Sequence, residues 1–374
     1  MIYLDSNATT SLDPEVLEAM LPYLREHHGN PSSGHRSGRE TRAAIDSARD
    51  SLAALLRCRP NELVFTSSGT EADNLAILGL ARTTNGRHII SCATEHHAVL
   101  HTLEYLEKHE GYSVTLLPVA SDGRLEPAAL KDAFRADTAF VSIMTANNET
   151  GVLHPIKEIS ELCRERGVLF HSDGVQSFGK ETLEAAPFDL LSIAAHKFYG
   201  PKGAGLLFIR GGLPIKSIQL GGAQEGQRRA GTENTPAIVG MAKAAELALA
   251  KMPEENVRLK SLRDALESGL GEQCDGLTFN GSREHRLSNT SNVTFPGSDA
   301  ESLLMALDME GVCASSGSAC MVGSLQASHV LLAMGLPHAR AGSSLRFSLC
   351  RTTTETEIHE TIRKVGRVWE RLRE

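Results

Sequence analysis

The sequence predicts an α/β fold: a mostly parallel sheet flanked by helices, with a smaller α+β unit after it. Three observations carry that expectation. Between about residues 60 and 210, short apolar runs alternate with stretches of helical periodicity. Several runs hold apolar residues at successive positions, the pattern of strands buried on both faces. Beyond about residue 255 a second, shorter set of helix and strand patterns follows.

In chain order, residues 39–57 repeat apolar positions at helical spacing through Ile45, Ala48, Leu52, Leu55 and Leu56. Seven apolar runs come next: Leu63-Val64-Phe65, His88-Ile89-Ile90, Val114-Thr115-Leu116-Leu117, Phe140-Val141-Ser142-Ile143, Val168-Leu169-Phe170, Leu190-Leu191-Ser192-Ile193 and Leu206-Leu207-Phe208-Ile209. Helical patterns at 71–81, 125–134 and 156–166 lie between them. Such alternation implies parallel pairing, with ligands at the C-terminal strand ends. Residues 236–251 and 254–270 read as two helices. The second unit has a strand at 293–295, a helix near 299–307, a Ser/Gly-rich loop at 315–324, a helix near 326–334 and a strand at 344–348. Its last helix sets Ile358, Ile362, Val365 and Trp369 on one face. The division falls near residue 255: 13–255 form the large unit, and 1–12 with 256–374 form the small one.

The chain has 374 residues, 41% hydrophobic and 22% charged, the balance of a globular protein with more than one core. A net charge of −8 argues against a dedicated nucleic-acid binder, which needs a clustered basic footprint. The first residues lack a signal-peptide pattern, and no apolar stretch reaches the ~20 residues that span a bilayer. The seven cysteines are odd in number and scattered, so no disulfide framework is expected. A cytoplasmic, reducing setting follows. With no C-x-x-C pair, a structural zinc site is not expected either.

Four segments carry chemistry. Phe65-Thr66-Ser67-Ser68-Gly69-Thr70-Glu71 runs from a strand through small residues into a helix. Gly69, Thr70 and the helix N-terminus suit a bound phosphate, although an ordinary N-cap explains the same residues. Asp173 falls just past a buried strand, where its carboxylate needs a cationic partner; Gln176 is three residues on. Lys197 follows an apolar strand, between His196 and the Phe198-Tyr199-Gly200-Pro201-Lys202-Gly203 turn. Poor solvation there favours a nucleophilic amine, whereas most lysines reach solvent. Cys320 sits amid Ser315-Ser316-Gly317-Ser318-Ala319 and Met321-Val322-Gly323, small residues suited to a reactive thiol. The other six cysteines read as packing residues. His96 and His97 precede a helix. His97 and His101 are spaced as metal ligands could be, but without a supporting motif, so proton transfer or ring stacking is the better use. Arg346 lies mid-strand among apolar neighbours, a place where arginine pairs with a carboxylate.

Taken together these segments resemble the cysteine desulfurases of the NifS/IscS type, within the class V aminotransferase family. The likeness extends over Leu4-Asp5-Ser6-Asn7-Ala8-Thr9-Thr10, Gly29-Asn30-Pro31-Ser32-Ser33, Thr94-Glu95-His96-His97-Ala98-Val99, Arg229-Ala230-Gly231-Thr232-Glu233-Asn234 and Arg346-Phe347-Ser348-Leu349. The Ser315–Cys320 stretch looks like the long-loop, group I branch. The resemblance implies a fold type I transferase dependent on pyridoxal 5'-phosphate. Lys197 would hold the cofactor covalently, and Asp173 would pair with its pyridine nitrogen. Gln176 and Asn148 would contact the phenolic side of the ring or the substrate. His96 would stack on the ring and move protons. Gly69, Thr70 and His196 would bind the phosphate, joined by Thr232 of a second subunit in a homodimer. Arg346 would clamp the carboxylate of L-cysteine, and Cys320 would take its sulfur as a persulfide and pass it to an acceptor or scaffold protein, for iron–sulfur cluster assembly or thiolation. A selenocysteine lyase or another class V enzyme acting on a small amino acid is the alternative. No metal, nucleic acid or membrane is implied. Two positions depart from the family pattern. Ala194 stands where a phosphate-binding serine is usual, which predicts looser cofactor retention. Met321-Val322 replaces the usual Thr-Ser, which bears on the choice of acceptor.

Overall fold

The computed structural model describes residues 1–316 and 327–373. A short N-terminal strand, β1 (Ile2–Tyr3), leads to helices α1 (Pro14–Arg25) and α2 (Arg36–Leu56). Asp13 caps α1 by accepting a hydrogen bond from the Glu15 N–H at 2.9 Å. In α2 the apolar positions Ile45, Ala48, Leu52 and Leu56 are buried, as their spacing predicts. The alternating block follows: β2 (Leu63–Thr66), α3 (Gly69–Ala81), β3 (His88–Cys92), α4 (His97–Glu110), β4 (Ser113–Leu117), α5 (Pro127–Ala133), β5 (Thr138–Ser142), α6 (Ile156–Arg166), β6 (Leu169–Asp173), β7 (Leu190–Ala194) and β8 (Gly205–Ile209).

These seven strands form one sheet in the order β2-β8-β7-β6-β5-β3-β4. Within it, β8 alone runs against its neighbours. The cause is local: β7 and β8 are joined by the tight segment that carries Lys197, with no crossover helix to bring the chain back parallel. Every residue of β2, β3, β7 and β8 is buried, which is why those runs read as unbroken apolar stretches. The edge strand β4 is partly open, with Leu116 47% exposed.

Helix α7 (Thr235–Gln273) is continuous, although the sequence reads as two helices at 236–251 and 254–270. Pro253 suggests a break, since proline removes a helical donor. Packing on both flanks outweighs it. Ala237, Ile238, Met241, Ala244 and Ala248 join the core of the large sheet, while Leu259, Leu262, Leu266 and Leu270 join a second core. That second core includes Ile2 and Leu4 from the N-terminus. We propose a division of the chain near residue 255, inside this helix, on the strength of that packing.

Beyond α7 come β9 (Thr278–Asn280), β10 (Thr290–Thr294), α8 (Ala300–Met309), β11 (Val312–Cys313), α9 (His329–Ala333), α10 (His338–Ala341), β12 (Ser344–Ser348) and α11 (Glu355–Arg373). The antiparallel order is β12-β10-β9, and β11 pairs in parallel with β1. Helix α9 is shorter than the 326–334 segment suggests, because Ser328 caps it by accepting from the Leu331 N–H. Among the described residues no helix is long and apolar enough to cross a membrane.

Candidate active site

Because β2, β3, β5, β6 and β7 share a direction, their C-terminal ends meet on one sheet edge. There β6 ends at Asp173, β7 runs into the 3-10 turn Ala195–Lys197, β2 opens into α3, and β3 leads to His96 at the start of α4. The N-terminal segment lies over this edge. Thr10 donates to the His196 carbonyl from both its N–H and its hydroxyl at 2.9 Å, and its hydroxyl accepts from the Tyr199 N–H at 2.8 Å. Lys197 Nζ then reaches the carbonyls of Asn7, in a short contact, and Ala8, at 3.0 Å. Tyr199 holds a left-handed backbone, φ 67°, which costs a non-glycine residue energy. The Arg351 guanidinium 3.8 Å from its ring centroid and the Arg351 N–H donated to its hydroxyl hold it there.

Asp173 is buried, and its Oδ1 accepts from the Val175 N–H at 2.9 Å. Its Oδ2 takes no hydrogen bond from a described residue. Burial pushes its pKa up to about 6, against the pull of the Val175 N–H and Lys197. A carboxylate this short of donors is suited to a cationic N–H. His96 caps α4 with Nδ1 accepting from the Ala98 N–H at 3.1 Å, which assigns the proton to Nε2. Burial first, then Lys197, holds its pKa down to about 4, so the ring is neutral at pH 7. His196 is likewise held to about 4, by burial and Lys197, and its Nδ1 meets Thr9 Oγ1 at 3.2 Å.

Gln176 is buried and donates from Nε2 to the Asn7 carbonyl at 2.9 Å. The Asn148 carbonyl accepts from Asn7 Nδ2 at 3.2 Å and from Arg346 Nη1 at 2.9 Å, while its carboxamide bonds no other described residue. Arg346 already pairs with a carboxylate of the protein, Asp5 Oδ1 at 2.6 Å; its Nε is buried and has no partner among the described residues. Gly69 starts α3, capped by Ser68, whose hydroxyl accepts from the Glu71 N–H at 3.1 Å. A Cβ at Gly69 would lie 2.7 Å from Val175 Cγ2 and 3.4 Å from Ala194 Cβ, so this turn has room only for glycine. Thr70 is exposed beside it. Thr232 is exposed on a segment tied to the α3 N-terminus through Arg229 Nε and Glu71 Oε1, 2.7 Å apart. Ser192 is engaged elsewhere, its hydroxyl 3.1 Å from His171 Nε2.

Cys320 and the Met321-Val322 departure lie outside the described residues. Both flanks of that stretch are tied to the site. Ser315 exchanges backbone bonds with Arg346 at 2.6 and 3.1 Å. Ser328 Oγ donates to Glu149 Oε2 at 2.5 Å, and His329 Nε2 lies 2.9 Å from the Glu95 carbonyl. His97 and His101 stack with centroids 4.9 Å apart, and His97 meets His329 at 4.7 Å; among the described residues no group is arranged to hold a metal. Cys58 and Cys313 are half-buried and the other four described cysteines are buried. Burial pushes the Cys58, Cys92 and Cys163 thiols up to about 12, so they stay protonated and inert.

Three features escape a reading by motif alone: Asn7 as the hub of the site, the Ser328–Glu149 contact, and Lys180, which donates to Gln176. Asn7 has a sequence signal in the 4–10 segment; the other two have none, since each partner is polar and unremarkable by itself.

The family model described as Aminotransferase class-V matches residues 2–360. A protein of Clostridium botulinum (strain Hall) named cysteine desulfurase IscS is 46% identical over 379 residues, covering 100% of this chain and 95% of that one. A cysteine desulfurase of a Nostoc species is 47% identical over 376 residues, covering 100% and 94%. A solved structure titled NifS-like protein superposes with a TM-score of 0.93 at 37% identity, covering 99% of this chain and all of that one. The chain belongs to the class-V aminotransferase family.

Proposed function

We propose that this chain is a cysteine desulfurase that works with pyridoxal 5'-phosphate. It takes sulfur from L-cysteine, releases L-alanine and keeps the sulfur as a persulfide on Cys320. The observation that carries the reading is Lys197 on the same sheet edge as Asp173, whose buried carboxylate accepts from one N–H among the described residues. The residues suit the cofactor: Asp173 has an oxygen left for a pyridine N–H, and Gly69 leaves a cradle at a helix N-terminus.

When bound, the cofactor supplies an electron sink for charge that leaves the substrate Cα. The chain's own residues do the rest. Lys197 anchors the aldehyde carbon covalently. Gly69, Thr70 and His196 hold the phosphate, with Thr232 contributed by the partner subunit of a homodimer; its exposure supports that role. Gln176 and Asn148 meet the phenolic side of the ring or the substrate. Arg346 orients the substrate carboxylate; its Nε, without a partner among the described residues, supports that role. His96, neutral at pH 7, covers the ring and moves protons through Nε2. The Cys320 thiolate bonds to the substrate sulfur as the C–S bond breaks; the electron pair leaves with carbon, which takes a proton to give alanine. An acceptor or scaffold protein for iron–sulfur cluster assembly or thiolation then takes the sulfur, in the cytoplasm.

Incubation with L-cysteine is expected to yield alanine and, with a thiol present, sulfide in equal amounts. Borohydride reduction followed by peptide mapping is expected to place the cofactor on Lys197. Cys320→Ser is expected to keep that adduct and lose turnover; a C320S variant with full turnover, or an adduct elsewhere, overturns the assignment.

A further inference from the structure

We propose that Lys180 is a positioning residue for this site: it fixes the Gln176 carboxamide with its N–H side turned from Lys180, and it sets a second positive charge beside Lys197. The inference rests on the reading of Lys197 as the cofactor lysine. Lys180 Nζ donates to the Gln176 backbone carbonyl and to Gln176 Oε1, both at 3.1 Å. An ammonium has donors and no acceptor, so it fixes which end of the carboxamide is which. Oε1 must face Lys180, and Nε2 must face the Asn7 carbonyl, where it lies at 2.9 Å. One amide N–H is used there. The second has no acceptor among the described residues, and it is what Gln176 offers a ligand. Lys197 Nζ bonds the same Asn7 carbonyl, so the two lysines are linked through two intervening residues.

The charge around Lys180 is mostly of its own sign. Lys197 faces it from the turn after β7 and Arg346 from β12, while His196, beside Lys197, is held neutral at pH 7. Glu255 of α7 lines the same small cavity as Lys180 and Lys197, and Glu181 is adjacent in sequence. No carboxylate is in contact with its ammonium among the described residues. Asn256 Nδ2 donates to the Lys180 carbonyl at 2.7 Å and pins the backbone. Burial, then Lys197 and Arg346, brings the Lys180 pKa down to about 7, so its positive charge acts on Lys197 in full below pH 7 and fades above it.

The test is the pH titration of the visible absorbance of the holoenzyme, in the parent chain and in Lys180→Met, Lys180→Gln and Lys180→Arg, with the cofactor position mapped after borohydride reduction. Lys180→Met is expected to raise the titration midpoint by about one pH unit, the effect of removing one neighbouring charge in a partly buried site. Lys180→Arg, which keeps charge and donors, is expected to hold the midpoint at or below the parent value. Should Lys180→Met not fold, Lys180→Gln carries the same expectation of an upward shift. An adduct at position 197 with an unmoved midpoint in the neutral variants overturns this inference alone, leaving Lys180 a packing residue. No adduct at 197 in the parent overturns the reading of the site, and this inference with it.

Discussion

Ala194 ends β7 three residues before Lys197, with its Cβ turned toward the Gly69 turn and only 1% of its surface exposed. A serine there would add a hydroxyl donor at the phosphate cradle, and Ser192 cannot supply one because His171 holds it. A hydrogen bond to a charged group is worth ~1.5–3 kcal/mol. Ala194→Ser is therefore expected to slow cofactor loss by roughly tenfold or more, since about 1.4 kcal/mol is a factor of ten. Following the visible absorbance during dialysis against cofactor-free buffer measures it, and an unchanged rate would show that the alanine costs the site nothing.

At the scale of elements, α7 shows where local pattern and packing part company. Pro253 is exposed, so its ring adds no buried contact, yet it removes one backbone donor from the middle of the helix. Pro253→Ala is expected to stabilise the chain by ~1–3 kcal/mol, the cost of a proline in a helix interior. Chemical denaturation reads this as a higher midpoint; a lower one would mean that the two cores need the proline's local geometry. The same contrast governs what was legible in advance. The sheet strands were visible because β3, β7 and β8 are buried on both faces and so need unbroken apolar runs. Gly69, Asp173 and Lys197 were visible because they punctuate the strand ends. Helix α7 reads as two helices because the contacts that keep it whole come from residues far away in sequence. Lys180 carries no signal, because a lysine bonded to a glutamine four positions earlier leaves no pattern in either residue type.

For the whole molecule, the decisive feature is that the site is closed by the first ten residues of the chain. Asn7 is where both cores and the sheet edge meet. Its Nδ2 donates to Thr290 Oγ1 of β10 at 2.9 Å and to the Asn148 carbonyl at 3.2 Å, and its Oδ1 accepts from Asn289 at 3.1 Å. Its carbonyl takes Gln176 and Lys197, and its N–H donates to Ser348 Oγ of β12 at 2.9 Å. The bonds to Thr290 and Asn289 tie the N-terminal segment to the 256–374 portion of the chain, the bond to Asn148 ties it to the large unit, and the carbonyl ties it to the lysine. Asn7→Ala cuts the side-chain bonds and spares the carbonyl. It leaves the buried Thr290 and Asn289 and the half-buried Asn148 short of a bond, which costs ~1–3 kcal/mol. The expected result is a lower denaturation midpoint together with turnover reduced more than cofactor loading, because the backbone carbonyl still faces Lys197 while the segment that holds it has loosened. Loading and turnover falling in step would place the effect on the lysine itself, and an unchanged midpoint would mean that water replaces the three lost bonds and that the N-terminal segment is held by its backbone alone.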